Sequence, residues 1–193
     1  MSAAKASTMV RMKILMLAPQ PFFEPRGTPF SLLGRLKALS KLGHEIDLVT
    51  YHVGQDVTIP GVTIYRTQRV GFIKRVKVGP SIPKLFLDLL VFFKAVRLLR
   101  RNHYDLLNTH EEAGFFGVLL AGLFKLRHLY DMGSSPPQRL SVFQQMGLGP
   151  LIRLFEWIEA KVINSSDAVI VTGVNCERPT CSEPNSFRGM RRV

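Results

Sequence analysis

Cysteine is nearly absent from this sequence of 193 residues, and its two cysteines, Cys176 and Cys181, both lie near the carboxyl end. Two thiols cannot build the disulfide framework of a small secreted domain. A C-x4-C pair with no further cysteine or histidine nearby is a weak zinc signal, so we predict no metal site. We expect two incidental thiols in a reducing compartment, and therefore a cytoplasmic protein.

Acidic residues are also scarce, with 14 Asp and Glu against 26 Lys and Arg. The formal net charge is +12 and the isoelectric point is near 10.2. Such an excess favours an anionic partner, which could be nucleic acid, an anionic membrane or a phosphorylated ligand. Composition alone does not choose among these three. Hydrophobic residues make up 46% of the chain, which is enough for a core and excludes general disorder.

Long hydrophobic runs are missing as well. The longest are residues 85–99, interrupted by Asp88 and Lys94, and residues 113–124. Both are shorter than the roughly 20 residues that a membrane-spanning helix needs. Residues 1–11 are small, polar and basic, and the apolar run after them is too short for a signal peptide, so we predict a flexible amino-terminal extension. The chain could still contact the inner face of a membrane peripherally.

Apolar runs and helical periodicities alternate along most of the chain. Strands are predicted at 12–18, 44–51, 62–66, 105–109, 127–131 and 167–172, and helices at 29–42, 84–101, 111–124 and 139–164, the last broken at 147–150. Such alternation predicts an α/β fold, with a parallel sheet covered by helices on both faces. Ligands bind such sheets at the carboxyl ends of the strands, which directs attention to the loops at 19–28, 110–112 and 132–138.

The first of these loops ends in the stretch "RGTPFS". Thr28 suits a helix N-cap and Pro29 suits the first helical position. Gly27 allows a close approach to the backbone, and Arg26 adds positive charge to the exposed N–H groups of the helix start. A capped turn without a ligand explains the residues of this stretch about as well as an anion site does. The position after the first strand of an α/β chain favours the anion site.

Two nucleotide-binding motifs are absent from the sequence. The first loop has a single glycine, so the G-x-G-x-x-G fingerprint of a dinucleotide-binding fold is missing. No G-x-x-x-x-G-K-[ST] stretch occurs in the sequence, which leaves a P-loop NTPase without support.

Three stretches together resemble one family. "MKILMLAPQPFFEPRGTPFSLLGRLKALSKLGHEIDLVTY", "YDLLNTHEEAGFFGVLLAG" and "EAKVINSSDAVIVTG" are similar to the amino-terminal domain of the family 4 (group 1) retaining glycosyltransferases of the GT-B fold. The resemblance covers residues 12–173 and rests on the ordered set rather than on one motif. It implies a Rossmann-like domain that holds most of the acceptor site, and a second domain that holds most of the nucleotide-sugar site.

The resemblance also implies roles for individual residues. Arg26, Gly27 and Thr28 would lie beside the donor phosphates. His110, Glu111, Ser134 and Ser135 would lie beside the acceptor, although Glu111 and the two serines suit helix starts equally well or better. The reaction would move a hexose from a nucleotide sugar to a hydroxyl acceptor, with lipid-linked acceptors among the candidates. The nucleotide sugar is a substrate, so no cofactor is expected.

Two departures from the family pattern bear on activity. Gly133 stands where related sequences carry a histidine that would contact the transferred sugar, and glycine has no side chain to donate or accept a proton. No catalytic residue is therefore assigned. Residues 174–193 lack periodicity, and a second domain does not fit within 193 residues. We expect a truncated or frame-shifted end near Gly173, and no activity for the chain alone.

The segment from Arg66 to Arg101 carries ten Lys or Arg and one acid. We predict contact with an anionic membrane at Arg69, Lys74, Arg75 and Lys77. For the helix at 84–101, we expect the apolar side chains to pack on the sheet and the charges to be solvated. The alternatives are a basic module that binds membrane or nucleic acid without catalysis, and an inactive remnant. Nucleic acid is disfavoured because no nucleic-acid-binding motif is present.

Overall fold

The computed structural model describes residues 10–25, 27–71, 76, 82–132 and 149–171. Six parallel strands form one sheet in the order β3-β2-β1-β4-β5-β6. The strands are β1 (Lys13–Ala18), β2 (Glu45–Thr50), β3 (Val62–Arg66), β4 (Leu106–His110), β5 (Arg127–Met132) and β6 (Ala168–Val171). The helices are α1 (Gly27–Lys41), α2 (Ile82–Arg101), α3 (Ala113–Phe124) and α4 (Gly149–Ser165). The predicted α/β fold, a Rossmann-like parallel sheet, is confirmed.

The starts of α1 and α3, which border the candidate loops, differ from the prediction. Helix α1 begins at Gly27, where φ is +30°, so Thr28 lies in the first turn and is not the N-cap. The glycine takes the positive φ at the entry to the helix, and this moves the start ahead of the proline. Helix α3 begins at Ala113 rather than at 111, because Glu111 adopts a left-handed conformation with φ of +48° that interrupts the helical path.

The alternation of side chains along β1 divides the core into two layers. Ile14, Met16 and Ala18 are buried on the face that α1 covers. Leu15 and Leu17 are buried on the opposite face, which α2 and α3 cover. Because β1 lies in the middle of the sheet, both of its faces must be apolar, which explains its uninterrupted hydrophobic sequence.

Helix α2 uses only part of its apolar surface on the sheet. Leu87, Val91 and Ala95 are fully buried. Four other apolar side chains on its first four turns are exposed, namely Leu85, Phe86, Leu89 and Phe93. The prediction that this helix packs its apolar side chains on the sheet therefore holds for the three buried residues and not for these four, because a single helix face meets the sheet. In the part of the chain that the structure describes, no helix is both long and apolar enough to cross a bilayer.

His128 lies fully buried in β5 and is held at both ring nitrogens. Its Nε2 accepts a hydrogen bond from the Thr109 hydroxyl at 2.7 Å, and its Nδ1–H donates to Ser166 Oγ at 3.0 Å. The Ser166 hydroxyl in turn donates to the Val162 carbonyl at 2.7 Å. Burial lowers the pKa of His128 to about 4, against a smaller opposing effect of Asp167. The bonds therefore belong to a neutral imidazole that joins β4, β5 and the end of α4.

We expect the stability of the protein to depend on the protonation of His128. The pKa is about 4 in the folded state and near 6.5 in the unfolded chain. The contribution of neutral His128 to stability is therefore fully present above pH 6.5 and is lost as the pH falls towards 4. In this range the unfolded chain binds a proton at His128 that the folded protein does not. The slope should be about 1.4 kcal/mol per pH unit within this window.

The measurement is urea unfolding of the wild type and His128→Gln at pH 5.0, 6.0 and 7.5. The variant keeps polar side-chain atoms near Thr109 but cannot titrate. The difference in unfolding free energy between the two proteins should shrink as the pH falls. A difference that stays constant across the range would contradict a role for His128 protonation. Asp88 titrates identically in both proteins, so its raised pKa, about 6, cancels in the comparison.

Candidate active site

The order of the sheet reverses between β1 and β4, and this is where the functional side chains gather. The chain leaves β1 towards β2 on one side, while β4 pairs with β1 on the other. Such a reversal leaves a crevice at the carboxyl ends of the strands. A cavity of about 340 Å³ lies there, between the start of α1 and the ends of β4 and β5. It is lined by Gly27, Thr28, Ser31, Leu32, Arg35, His110 and Asp131.

Three charged or titratable side chains meet at one wall of this cavity. His110 is the last residue of β4 and Asp131 the penultimate residue of β5, and the two are directly paired in the parallel register. His110 Nδ1 lies 2.8 Å from Asp131 Oδ2, and the Arg35 guanidinium forms an ion pair with the same oxygen. The Asp131 side chain is 2% exposed and that of Arg35 is 19% exposed. A buried carboxylate needs such partners, because removal from water disfavours its charge.

His110 is neutral in this arrangement. Burial, together with the positive charge of Arg35, lowers the pKa of His110 to about 3. Because Asp131 can only accept hydrogen bonds when ionised, the imidazole proton is assigned to Nδ1. Nε2 then carries a lone pair, and this buried atom has no hydrogen-bond partner among the described residues. His110 lines the cavity, and its uncharged Nε2 is an acceptor of the kind that a ligand hydroxyl needs.

The wall of the cavity that the start of α1 forms carries positive potential. Backbone N–H groups of the first turn of α1, at Gly27 and Thr28, have no partner within the helix, as at any helix start. The helix dipole adds partial positive charge at this end. A Cβ at Gly27 would meet no atom within 4 Å, so the space beside the glycine is open. This wall suits an anion such as a phosphate.

The loop between β1 and α1 is tied to the loop after β2. Arg66 Nη1 donates to the Phe22 carbonyl at 2.5 Å, and Nη2 donates to the Gln55 carbonyl at 2.8 Å. Phe23 and Gln55 exchange two backbone hydrogen bonds, of 3.0 and 2.9 Å. At Gly54, where φ is +128°, a Cβ would lie 2.1 Å from the Phe22 oxygen. These contacts set the position of the segment that leads into the start of α1.

The residues predicted for the site fall into three groups. Gly27, Thr28 and His110 are brought together at the cavity. Glu111 is not among the lining residues, and Glu112 bonds to Lys84 Nζ at 2.7 Å.

Several predicted residues lie outside the described part of the chain, namely Arg26, Ser134, Ser135, Lys74, Arg75, Lys77, Cys176, Cys181 and the tail at 174–193. Of the residues predicted to contact a membrane, Arg69 is described, and it is exposed.

Sequence reasoning missed Ser31, Arg35 and Asp131. Arg35 lies one helical turn after Ser31 and two turns after Thr28. All three are on the face of α1 that also buries Leu32. An arginine on a buried helix face is the signal that could have identified it. Asp131, near the end of a buried strand, carried a similar signal. Among the residues that the structure describes, no three His, Cys, Asp or Glu side chains are grouped closely enough to hold a metal ion.

Solved structures of similar fold are glycosyltransferases. Sucrose-phosphate synthase from Thermosynechococcus elongatus aligns with a TM-score of 0.57 at 20% identity, over 84% of this chain and 43% of that one. The calicheamicin glycosyltransferase CalG4 aligns with a TM-score of 0.52 at 17% identity, over 84% and 48%. Phytolacca americana UGT2, solved with UDP-2-fluoro-glucose and pterostilbene, aligns with a TM-score of 0.51 at 11% identity, over 88% and 52%. The chain thus spans about half the length of these proteins.

These likenesses establish the fold, and the sequence establishes the family. No curated protein matches the chain significantly. The family model Glycosyltransferase Family 4 matches residues 29–176, which is most of the sequence and includes the cavity residues from Ser31 to Asp131, while Gly27 and Thr28 lie just before the matched range. The chain therefore belongs to glycosyltransferase family 4, and its domain has the fold of the GT-B enzymes.

Proposed function

We propose that this chain is the acceptor-side domain of a transferase that moves a hexose from a nucleotide sugar to a hydroxyl group. The observation that carries the proposal is the cavity itself, which is lined both by His110, whose buried Nε2 has no hydrogen-bond partner among the described residues, and by the positive start of α1. A glycosyl transfer needs both a site for the hydroxyl and a site for the anionic leaving group.

The donor diphosphate would lie at the start of α1. Backbone N–H groups at Gly27 and Thr28 would bind its oxygens, and Arg26 would add charge from the preceding position. Arg35 contributes to the same potential, although its guanidinium is already paired with Asp131. Negative charge grows on the diphosphate as the bond to the sugar breaks, so these groups bind the transition state more strongly than the ground state.

The acceptor hydroxyl would donate its hydrogen bond to His110 Nε2. Asp131 holds the imidazole in this tautomer through Nδ1. The oxygen of the hydroxyl forms a new bond to the anomeric carbon, the bond from that carbon to the diphosphate breaks, and the hydroxyl proton passes to the leaving diphosphate. Transfer with retention, as the family resemblance implies, would place both events on one face of the sugar. His110 therefore orients the hydroxyl before the transfer and does not retain the hydroxyl proton.

The remaining donor contacts are assigned to a second domain of the GT-B fold. We expect residues 1–193 alone to bind nucleoside diphosphate weakly and to transfer no sugar. A lipid-linked acceptor, used at the inner face of a membrane, is part of the proposal because the chain is strongly basic.

Replacing Gly27 by valine is expected to abolish binding of the diphosphate. A β-branched side chain is strained at a φ of +30° and would project into the open space where the phosphates are proposed to lie. The measurement is NMR titration of the chain with uridine, guanosine and adenosine diphosphates and with inorganic pyrophosphate, following the backbone amides of residues 27 and 28.

The matched control is Gly34→Val, on the same helix, where a Cβ also meets nothing within 4 Å. We expect this variant to titrate as the wild type does. Equal titration of the Gly27 variant would contradict the donor assignment. Salt-sensitive binding of random-sequence DNA, without any response to diphosphates at residues 27 and 28, would instead favour the alternative of a basic nucleic-acid-binding module.

A further inference from the structure

The outer surface of α2 and α3 is apolar. Seven large hydrophobic side chains on these two helices are between 44% and 69% exposed. We call them the α2–α3 face: Leu85, Phe86, Leu89, Phe93, Phe115, Leu119 and Leu123. Single exposed hydrophobic residues are normal on a protein surface, but a continuous apolar surface marks a docking site.

A series of ring contacts joins the two halves of this face. Phe93 contacts Phe92, with 5.7 Å between ring centroids, and Phe92 contacts Phe116 across the two helices at 5.2 Å. Phe116 contacts Phe115 at 6.0 Å. Phe92 and Phe116 are half-buried and form the floor between exposed Phe93 and exposed Phe115. The face is therefore one surface rather than two separate stripes.

The core does not need these side chains. Beneath the face, α2 buries Leu87, Val91 and Ala95, and α3 buries Ala113 and Leu120. These residues already complete the layer that packs on the sheet. A helix covering a sheet needs apolar residues on one stripe only, whereas the first four turns of α2 carry them on both sides. The additional apolar residues cost solubility, which indicates a partner outside the fold.

Charge identifies the partner. Asp88, within α2, accepts a hydrogen bond from Tyr51, and Glu112, just before α3, bonds to Lys84. Beyond Phe93, α2 continues with basic residues, and a basic stretch precedes it in the sequence. We call Lys94, Arg97, Arg100 and Arg101, all within α2, the flanking basic residues. An apolar surface that is continued along the same helix by basic residues suits an anionic lipid bilayer.

We propose that the α2–α3 face docks on an anionic membrane, with its leucine and phenylalanine side chains among the acyl chains and the flanking basic residues at the lipid phosphates. A second copy of this chain fits less well, because the basic borders of two such faces would repel each other. Nucleic acid fits less well too, because seven apolar side chains offer nothing to a phosphate backbone.

Docking in this way sets the orientation of the cavity. The Lys84–Glu112 bond joins the starts of α2 and α3 at the carboxyl edge of the sheet, where the cavity opens. The exposed residues Leu85, Phe86 and Phe115 lie on the first turns beside this bond. The docked domain therefore holds the cavity edge close to the lipid headgroups. This orientation rests on the proposed function, whereas the docking itself does not.

The test is flotation of the full chain with vesicles of phosphatidylcholine alone and with vesicles of phosphatidylcholine mixed with phosphatidylglycerol, an anionic lipid that attracts basic residues. The wild type should float with the anionic vesicles and lose binding as salt is raised. The double variant Leu89→Glu, Phe93→Glu should bind at least about tenfold more weakly, because it removes two apolar anchors and adds charge at the lipid boundary. Both positions are exposed, so the variant should fold, which far-UV circular dichroism checks.

Two further variants separate the contribution of the α2–α3 face from that of the basic residues and of exposed phenylalanine in general. Phe30→Glu changes an equally exposed phenylalanine on α1, on the opposite face of the sheet, and should bind as the wild type does. Arg97→Gln with Arg100→Gln should weaken binding by about fivefold for each charge removed, while the apolar anchors remain. If either glutamate of the double variant prevents folding, Phe93→Ser alone replaces it and should still reduce binding.

Three results would overturn the proposal. Equal binding of the double variant and the Phe30 variant would show that general charge, and not this face, recruits the protein. Binding to neutral and anionic vesicles alike, without salt dependence, would remove the electrostatic part. No vesicle binding, together with a dimer in sedimentation velocity that Phe93→Glu abolishes, would assign the face to self-association. Because flotation requires no sugar transfer, failure here leaves the diphosphate titration to decide the proposed function separately.

Discussion

Replacing Asp131 by alanine is expected to lower the free energy of unfolding by about 3 kcal/mol. The substitution leaves the Arg35 guanidinium, which is 19% exposed, without its carboxylate, and it leaves the Nδ1–H of buried His110 without an acceptor. Breaking a buried pair from one side is costly, because the remaining charge stays removed from water. The measurement is equilibrium urea unfolding at pH 7.5, where His110 is neutral.

The control for this variant is Asp56→Ala. Asp56 also pairs with an arginine, Arg66, but its side chain is 96% exposed, so we expect a change within about 0.5 kcal/mol. The double variant Asp131→Ala, Arg35→Met should be less destabilised than the sum of the two single variants, because no unpaired charge is left behind. Additive losses would show that the ion pair is not coupled, and would contradict the geometry of this wall of the cavity.

Replacing Gly117 by alanine is the second change for which we expect a large effect. A Cβ at this position would lie 2.2 Å from His128 Nε2 and 2.6 Å from Thr109 Cγ2. The imidazole cannot turn aside without breaking its bonds to Thr109 and Ser166, and Thr109 is fixed in a central strand. We expect a loss of about 2–3 kcal/mol, after the gain of up to about 1 kcal/mol in helix propensity is included.

The same helix offers the matched control. A Cβ at Gly122 meets nothing within 4 Å, so Gly122→Ala should be neutral or should stabilise the protein by up to about 1 kcal/mol. Opposite signs for two identical substitutions five residues apart would identify close packing of α3 on β5, rather than propensity, as the cause. If Gly117→Ala were as stable as Gly122→Ala, the helix would have to lie further from the sheet than the structure has it.

The strands and helices could be predicted because their patterns are local. The β-strand runs at 12–18 and 167–172 and the helical spacing at 29–42 were each readable from a short window, and the structure confirms them within one or two residues. Their alternation then restricts the topology to a parallel sheet. The helix start at Gly27 was less predictable, because a positive φ at a glycine is decided by the path of the incoming loop, which Arg66 and Gly54 hold in place.

Site residues could be predicted only in part. Gly27 and Thr28 follow strand one and His110 ends strand four, so general rules for α/β sheets pointed to them. The sequence alone determined the α/β class, the family resemblance and these strand-end positions, because each depends on residues close together in the chain. Only the tertiary structure decided that Arg35 and Asp131 meet His110, since this contact depends on the register of β4 with β5 and on the rotation of α1. It also decided which side of α2 faces the sheet, and hence that Phe93 and its neighbours are exposed, because a helix with apolar residues on both sides can pack either way until α3 and β1 fix its rotation.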